Sequence, residues 1–370
     1  MDEFGFLKYL PDFVSPWRKR AMKSFLAMDS TWAKAREYCD KRRSRGERRV
    51  CIADIMLDDR KKAGNMTDHQ INHFLGVLVE GGADTTSSAV LTMIACLARN
   101  PEHQVIAQRE LDALCGTERY ALPERNFPAI WSANSEPCIE CPNGRISKAS
   151  RTLTASSKKV FAGIQCMSQS FVAVWKYNIL TRAHRLPLGV PHRVAQDDWY
   201  NGMLIPKDAT VVIPAYAIHR SEQFNYKNPD EFNPARYLKH PRLASDYAGS
   251  PDFENRDKFY SFSFFASCSQ TNILQHHYGY GGGRRICPGM HLAERTQWRA
   301  IAKLLWAFKI ELPVDPATGK KIIPDPEAYK EGIAHGPLPY QVQFKPRSQA
   351  HIDVILKEFD RSQSVLQQWE

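Results

Sequence analysis

Tyr280-Gly-Gly-Gly-Arg-Arg-Ile-Cys-Pro-Gly-Met-His-Leu-Ala-Glu294 is the stretch from which the rest of the chain can be read. Its three consecutive glycines, Gly281 to Gly283, tolerate positive φ and let a backbone lie close against a flat ligand. Arg284 and Arg285 follow, and Cys287 stands between Ile286 and Pro288. From Met290 onward the residues read as helix. A cysteine just ahead of a helix N-terminus has its thiolate stabilised by the helix dipole and by free N–H groups. That setting suits an iron centre better than a disulfide. A Walker-type phosphate loop would end in Gly-Lys-Ser/Thr, and no such ending is present.

The order aromatic, Gly, x, Gly, x, Arg, x, Cys, x, Gly falls on Tyr280, Gly281, Gly283, Arg285, Cys287 and Gly289. It resembles the heme-binding loop of the cytochrome P-450 superfamily, with tyrosine in place of the usual phenylalanine. The resemblance implies that Cys287 is the proximal ligand to the iron of heme b (iron protoporphyrin IX), where a thiolate pushes electron density that favours O–O cleavage. It also implies that Arg285 pairs with a heme propionate, a role suited to a planar fork of five donors. Gly281, Gly283 and Gly289 are the loop glycines of the same match.

A second motif lies far upstream. Thr67-Asp-His-Gln70 is a capping box, and it opens a helix expected to run to about Arg99. At 1.5 Å per residue that helix would be about 45–50 Å long. Asn100-Pro101 ends it and starts another. Its middle reads Glu80-Gly-Gly-Ala-Asp-Thr-Thr-Ser-Ser88. Two adjacent glycines within a helix cost about 1 kcal/mol each against alanine, and Thr85 can bend the helix by bonding the carbonyl of Gly81. Such a defect is either a close packing contact or a groove opened for a ligand. Gly81, Gly82, Ala83, Asp84, Thr85 and Thr86 resemble the superfamily's oxygen-activation motif. The resemblance implies that Asp84 and Thr85 deliver protons, through water, to oxygen held at the iron.

Composition narrows the setting. The chain has 370 residues, 43% of them hydrophobic, enough for one large or two ordinary domains. Nine scattered cysteines and no secretory signal favour a reducing compartment. The formal net charge of +10 could meet an acidic redox partner, a membrane face or nucleic acid. Yet 50 basic residues are interspersed with 40 acidic ones, the pattern of a solvated surface. No recognisable nucleic-acid module occurs, and no apolar run reaches about 18 residues, the length a membrane span needs.

The remaining segments fill in the plan. Helices are expected over about 15–45 and 50–62, joined by the basic turn Lys41–Arg49. Trp32-Ala-Lys-Ala-Arg36 copies a Trp-x-x-x-Arg propionate motif of the superfamily. There that motif lies far upstream of the oxygen helix, so Trp32 is read as a core tryptophan of a basic helix. Pro101–Cys115 reads as a helix with Val105, Ile106, Leu111 and Leu114 inward, closed by Gly116. Asn201-Gly202 is a hairpin turn, and Pro206-Lys-Asp208 another, leading to a strand at 210–213. The resemblance places His192 on a propionate and Leu188 to Val190 against substrate; a strand-edge histidine is the plain alternative. Met290–Phe308 is expected as a helix with Leu292, Ile301, Leu304 and Leu305 inward. A strand is expected over Leu338–Phe344, in a region that contacts substrate in the superfamily. A last helix, 350–359, should pack through Ile352, Leu356 and Phe359.

Two blocks depart from the pattern. Residues 132–180 and 259–275 lose periodicity and gain Ser and Cys. Cys138 and Cys141 form one CxxC pair, short of the four ligands that structural zinc takes. Asn228-Pro-Asp-Glu-Phe-Asn-Pro-Ala-Arg-Tyr237 resembles the superfamily's Pro-x-x-Phe-x-Pro-x-Arg segment. The Glu-x-x-Arg partner of Arg236 is missing, since Asn178 and Thr181 stand at its spacing.

The expected fold is mainly α with a small β region. It amounts to a single partial cytochrome P-450 domain over 1–370, without the early helices, the N-terminal membrane helix or the Glu-x-x-Arg helix. Ser250–Asp257 and Gly289–Glu294 resemble fungal secondary-metabolism members. The implied reaction is that of a monooxygenase, inserting one atom of O2 into a small organic substrate. Electrons would come from NADPH through NADPH-cytochrome P-450 reductase, to a monomeric protein that binds no nucleic acid. The superfamily is associated with the endoplasmic-reticulum membrane, and this chain is expected to be cytoplasmic or peripheral. The other reading is a truncated or wrongly spliced product, catalytically dead, that binds heme poorly or not at all.

Overall fold

The computed structural model describes residues 9–49, 51–59, 64–115, 189–219, 228, 231–232, 279–282, 285–330 and 336–367. They fall into two compact units, Met1–Asp84 and Thr85–Glu370. The blocks 132–180 and 259–275, together with Gly116, Leu188, Arg236 and Gly283, lie outside the described residues.

In the first unit, helix α1 spans Pro16–Ser44 and α2 spans Ile52–Asp58. Proline at the start of α1 is favoured because its missing N–H would have had no partner there. The basic turn between them is neutralised from within. Asp54 of α2 is buried and accepts from Arg42 at 2.8 Å, from Arg43 at 2.9 Å and from the Arg49 amide at 2.6 Å. Helix α2 is shorter than the expected 50–62, because Asp59 already leaves the helical conformation. Helix α3, Asp68–Arg99, starts on the capping box: Thr67 N–H donates to Gln70 Oε1 at 2.8 Å, and Gln70 N–H to Thr67 Oγ1 at 3.2 Å. Trp32 lies flat against Gly76, where an added Cβ would come within 2.4 Å of the ring. Arg36 is taken up by Asp40, Asp68 and Asn72. Trp32 and Arg36 are therefore packing and pairing residues. A small core forms around Met56 and Ile71.

The second unit is built on the rest of α3, on α4 (Pro101–Cys115), and on two strands and two helices near the C-terminus. Helix α5, Ala215–His219, is one short turn. Helix α6 spans Met290–Ala307 and runs directly into β5, Phe308–Glu311. Strand β6, Gln343–Pro346, pairs antiparallel with β5, and α7 spans Gln349–Leu366. The core joins Met93, Leu97 and Ala98 of α3, Ala107 and Leu111 of α4, and Ile301, Leu305 and Trp306 of α6. Full burial of each large aliphatic side chain contributes about 1.5–3 kcal/mol. Phe232 packs on the same core and meets the His103 ring edge-on at 5.1 Å.

Helix α4 turns a different face inward from the one its aliphatic residues suggest. Val105 and Ile106 are exposed, whereas Gln104, Ala107, Gln108 and Leu111 are buried. The glutamines are inside because backbone needs them: Gln108 Nε2 donates to the carbonyls of Leu305 at 3.1 Å and Phe308 at 3.0 Å. Leu292 on α6 and Leu356 and Phe359 on α7 are likewise exposed. Helix α7 packs instead through Val354, Ile355 and buried His351, whose ring stands edge-on to Trp306 at 4.4 Å. Arg347 locks this corner with a two-pronged ion pair to Asp112 at 2.8 and 2.6 Å.

The small β region has two further pairs. Strand β1, His192–Arg193, pairs with β4, Thr210–Val211; β2, Asp198–Tyr200, forms a hairpin with β3, Met203–Ile205. Asn201 at φ 49° and Gly202 at φ 77° make the tight turn, as the Asn-Gly pair predicts.

Candidate functional site

The cysteine loop is closed by its own backbone. Cys287 N–H donates to the Tyr280 carbonyl at 2.9 Å, so the chain returns on itself between the aromatic and the cysteine. Gly281 takes φ +79°, a conformation that a side chain would strain. Gly289 is the cap residue of α6, and its carbonyl accepts from Leu292 at 3.1 Å and from Ala293 at 2.9 Å. The Cys287 side chain is half-buried at the mouth of this helix.

Its sulfur accepts hydrogen bonds from the Gly289 and Met290 amides, which favour the thiolate. Burial outweighs them and pushes the free thiol up. A metal ion at the sulfur would favour the thiolate, because the ligating form of cysteine is the deprotonated one. A Cβ added at Gly289 would make ordinary contact with the sulfur at 3.9 Å. A half-exposed sulfur with two amide donors behind it is a residue that could hold a heme iron. Arg285 lies on the same turn, exposed, two residues before the cysteine.

The helix that carries Asp84 and Thr85 is continuous α3, with Asp84 exposed and Thr85 half-buried. An added Cβ at Gly81 or Gly82 would meet nothing within 4 Å among the described residues. The packing-contact reading of the paired glycines therefore has no contact behind it there. Within the second unit, Thr85 lies about two turns upstream of Met93, and Cys287 lies just upstream of α6. Met93 and Leu97 share one core with Ile301 and Leu305, so a single packed layer holds both helices. His192 opens β1 opposite Val211, half-buried, and its place is set by that strand pair.

A cleft of about 400 Å³ runs along α3 beyond the Thr85 turn. Thr92, Cys96 and Arg99 form one wall, and Pro324, Leu338 and Tyr340 the other. The Tyr340 hydroxyl donates to the Leu91 carbonyl, and burial pushes its phenol up. Thr92 Oγ1 is buried with no partner among the described residues. This wall includes part of the 338–344 stretch expected to face substrate, although its strand begins only at Gln343. Sequence pattern singles out neither Thr92 nor the sulfur's two amide donors, because backbone amides leave no signature in residue type. It also passes over Asp29, His69 and His73, whose signal was the i,i+4 spacing of the two histidines.

Among the described residues no helix is long and apolar enough to cross a membrane. A family model described as Cytochrome P450 matches residues 2–126 and 182–344. Cytochrome P450 monooxygenase acuD of Aspergillus aculeatus is 34% identical over 376 residues, covering 100% of this chain and 58% of that protein. Cytochrome P450 monooxygenase yanC of Aspergillus niger is 34% identical over 379 residues, covering 100% of this chain and 59% of that protein. The chain thus spans 58% and 59% of the length of these two curated relatives. A zebrafish cytochrome P450 structure with abiraterone aligns over 77% of this chain and 49% of that one, with a TM-score of 0.48 and 21% identity.

Proposed function

The chain belongs to the cytochrome P450 family, and from that membership we propose that it works as a heme-thiolate monooxygenase on a small organic substrate of the secondary-metabolite kind. The observation that carries the reading is the Cys287 sulfur, held by the Gly289 and Met290 amides in a loop closed onto Tyr280. When bound, heme b supplies the redox chemistry that activates O2, with electrons from NADPH through a flavoprotein reductase. Cys287 would hold the iron, and its two amide donors favour the anionic sulfur without outweighing burial on their own. Arg285, exposed on the same turn, anchors a propionate. Gly281, Gly283 and Gly289 are the loop glycines that would allow backbone to approach the group closely. His192 is assigned the second propionate.

Protons come from the helix. The Thr85 hydroxyl holds a water and the Asp84 carboxylate, exposed to solvent, reloads it. Among the described residues nothing comes within 4 Å of a Cβ built at Gly81 or Gly82, which leaves room for that water. The protein acts as a monomer on substrate drawn toward the Leu338–Tyr340 wall.

Residues 132–180 and 259–275 are read as insert-like segments of a single partial domain. The family match stops at residue 126 and resumes at 182, which supports this for the first block alone, since the match runs through 259–275. The second reading, a catalytically dead product, is favoured by the missing Glu-x-x-Arg partner of Arg236. Heme retention separates the two. The full chain reconstituted with heme should hold one equivalent, and Arg285→Ala should lose it faster than the parent. A chain that takes up no heme is the dead product. Equal loss rates would remove Arg285 from the propionate.

A further inference from the structure

We propose that Asp29, His69 and His73 form a binding site for a divalent transition-metal ion of the zinc class. The site lies within the first unit and ties α1 to the opening turns of α3. His69 and His73 are spaced i,i+4, so their rings project from one helix face, with centroids 4.4 Å apart. Asp29 comes from the middle of α1. Its Oδ1 lies 3.0 Å from Nε2 of His69 and 3.0 Å from Nε2 of His73. The three donor atoms all stand within 4.8 Å of one another.

Those spacings suit a shared metal ion. Zinc binds imidazole nitrogen at about 2.0–2.1 Å and carboxylate oxygen at about 2.0–2.2 Å. Neighbouring donors around such an ion are then roughly 3.0–3.5 Å apart, and the two carboxylate–imidazole separations are already 3.0 Å. As a bare hydrogen-bond cluster, both rings must place a proton on Nε2 to satisfy one carboxylate oxygen. With an ion, both rings instead offer Nε2 lone pairs and carry their protons on Nδ1.

The surroundings support a ligand set of this kind. Phe25 stacks on His73 with centroids 5.6 Å apart and planes 16° apart, and leans over His69 at 6.2 Å. It fixes the rings and walls off one side. The other side is open, since the side chains of His69 and Asp29 are 58% and 38% exposed. An ion can enter there, and water fills its remaining positions. Arg36, the nearest basic residue along the same helical face, is occupied with Asp40, Asp68 and Asn72 and leaves Asp29 to the histidines. Two imidazoles and one carboxylate select zinc, cobalt, nickel or copper over magnesium or calcium, which take oxygen ligands.

The test is equilibrium dialysis of the full, heme-loaded chain against zinc ions, comparing the parent with His69→Gln, His73→Gln and Asp29→Asn. The parent should bind one zinc that each variant loses or holds at least about tenfold more weakly. Zinc should raise the parent's melting temperature and leave that of His69→Gln unmoved. His69 is mostly exposed, so its variant keeps the fold and decides the matter if another variant does not fold. Zinc stoichiometry and affinity unchanged in His69→Gln would overturn the site. X-ray absorption of the zinc-loaded parent gives an independent reading. Nitrogen and oxygen neighbours at about 2.0–2.2 Å support the site, and a shell of sulfur alone at about 2.3 Å overturns it.

Discussion

Gln104 holds Ile310 by both of its backbone polar groups. Gln104 Nε2 donates to the Ile310 carbonyl at 2.8 Å, and Gln104 Oε1 accepts from the Ile310 amide at 3.0 Å. The side chain does for Ile310 what a neighbouring strand would do. Its Nε2 also reaches the Leu97 carbonyl at 2.7 Å, so one amide ties α3, α4 and β5 together. This junction sits in the core shared by α3 and by α6, the helix that follows the cysteine loop.

Gln104→Leu should therefore destabilise the chain although it adds apolar surface to a buried site. Each buried polar group left unpaired costs about 1–3 kcal/mol, and Ile310 would lose partners for two. Urea unfolding of parent and variant measures the loss. A variant as stable as the parent would mean that the junction relaxes or hydrates without penalty.

The Gln104 pair also explains where sequence reading succeeds and where it stops. Local rules carried the elements: Thr67 and Gln70 cap α3 as their spacing requires, Asn201-Gly202 turns the hairpin, and helix begins at Met290 behind the cysteine. Inward faces were less legible. Val105 and Ile106 are the greasier residues of α4, yet Gln104 and Gln108 are inside, because their partners are backbone groups about two hundred residues away in sequence. No pattern within α4 encodes that demand. On α7 the same holds for His351, which is buried against Trp306 and bonded to Ser348 at 2.7 Å while Leu356 and Phe359 stay outside. In the candidate site, Cys287 stands out in the sequence because a side chain would carry the proposed role, whereas the amides behind it leave no mark in residue type.

Asp54 should prove the most acid-sensitive group of the first unit. Arg42, Arg43 and the Arg49 amide hold its carboxyl far below the usual carboxylate range, although burial alone would raise it. A carboxyl depressed on folding contributes stability that is full above its unfolded pKa of about 3.9 and is lost as pH falls toward its folded value. Asp54→Ala should cost about 3–5 kcal/mol at neutral pH, because two arginines lose a buried partner. It should also flatten the acid limb of a stability-against-pH curve. An unchanged acid limb would show that other carboxylates govern acid unfolding.

Thr85→Ala should leave heme retention intact while lowering the product formed per NADPH consumed. Asp84→Asn should slow turnover with the same retention, because reloading of the Thr85 water fails. Coupling equal to the parent in both variants would make this stretch of α3 structural only.

The central claim is that Cys287 ligates iron, and the absorption spectrum of the reduced, carbon-monoxide-bound protein tests it most directly. The parent should give the thiolate-type spectrum, and Cys287→Ala should lose it while the other cysteines remain. A thiolate-type spectrum that survives in Cys287→Ala would contradict the assignment.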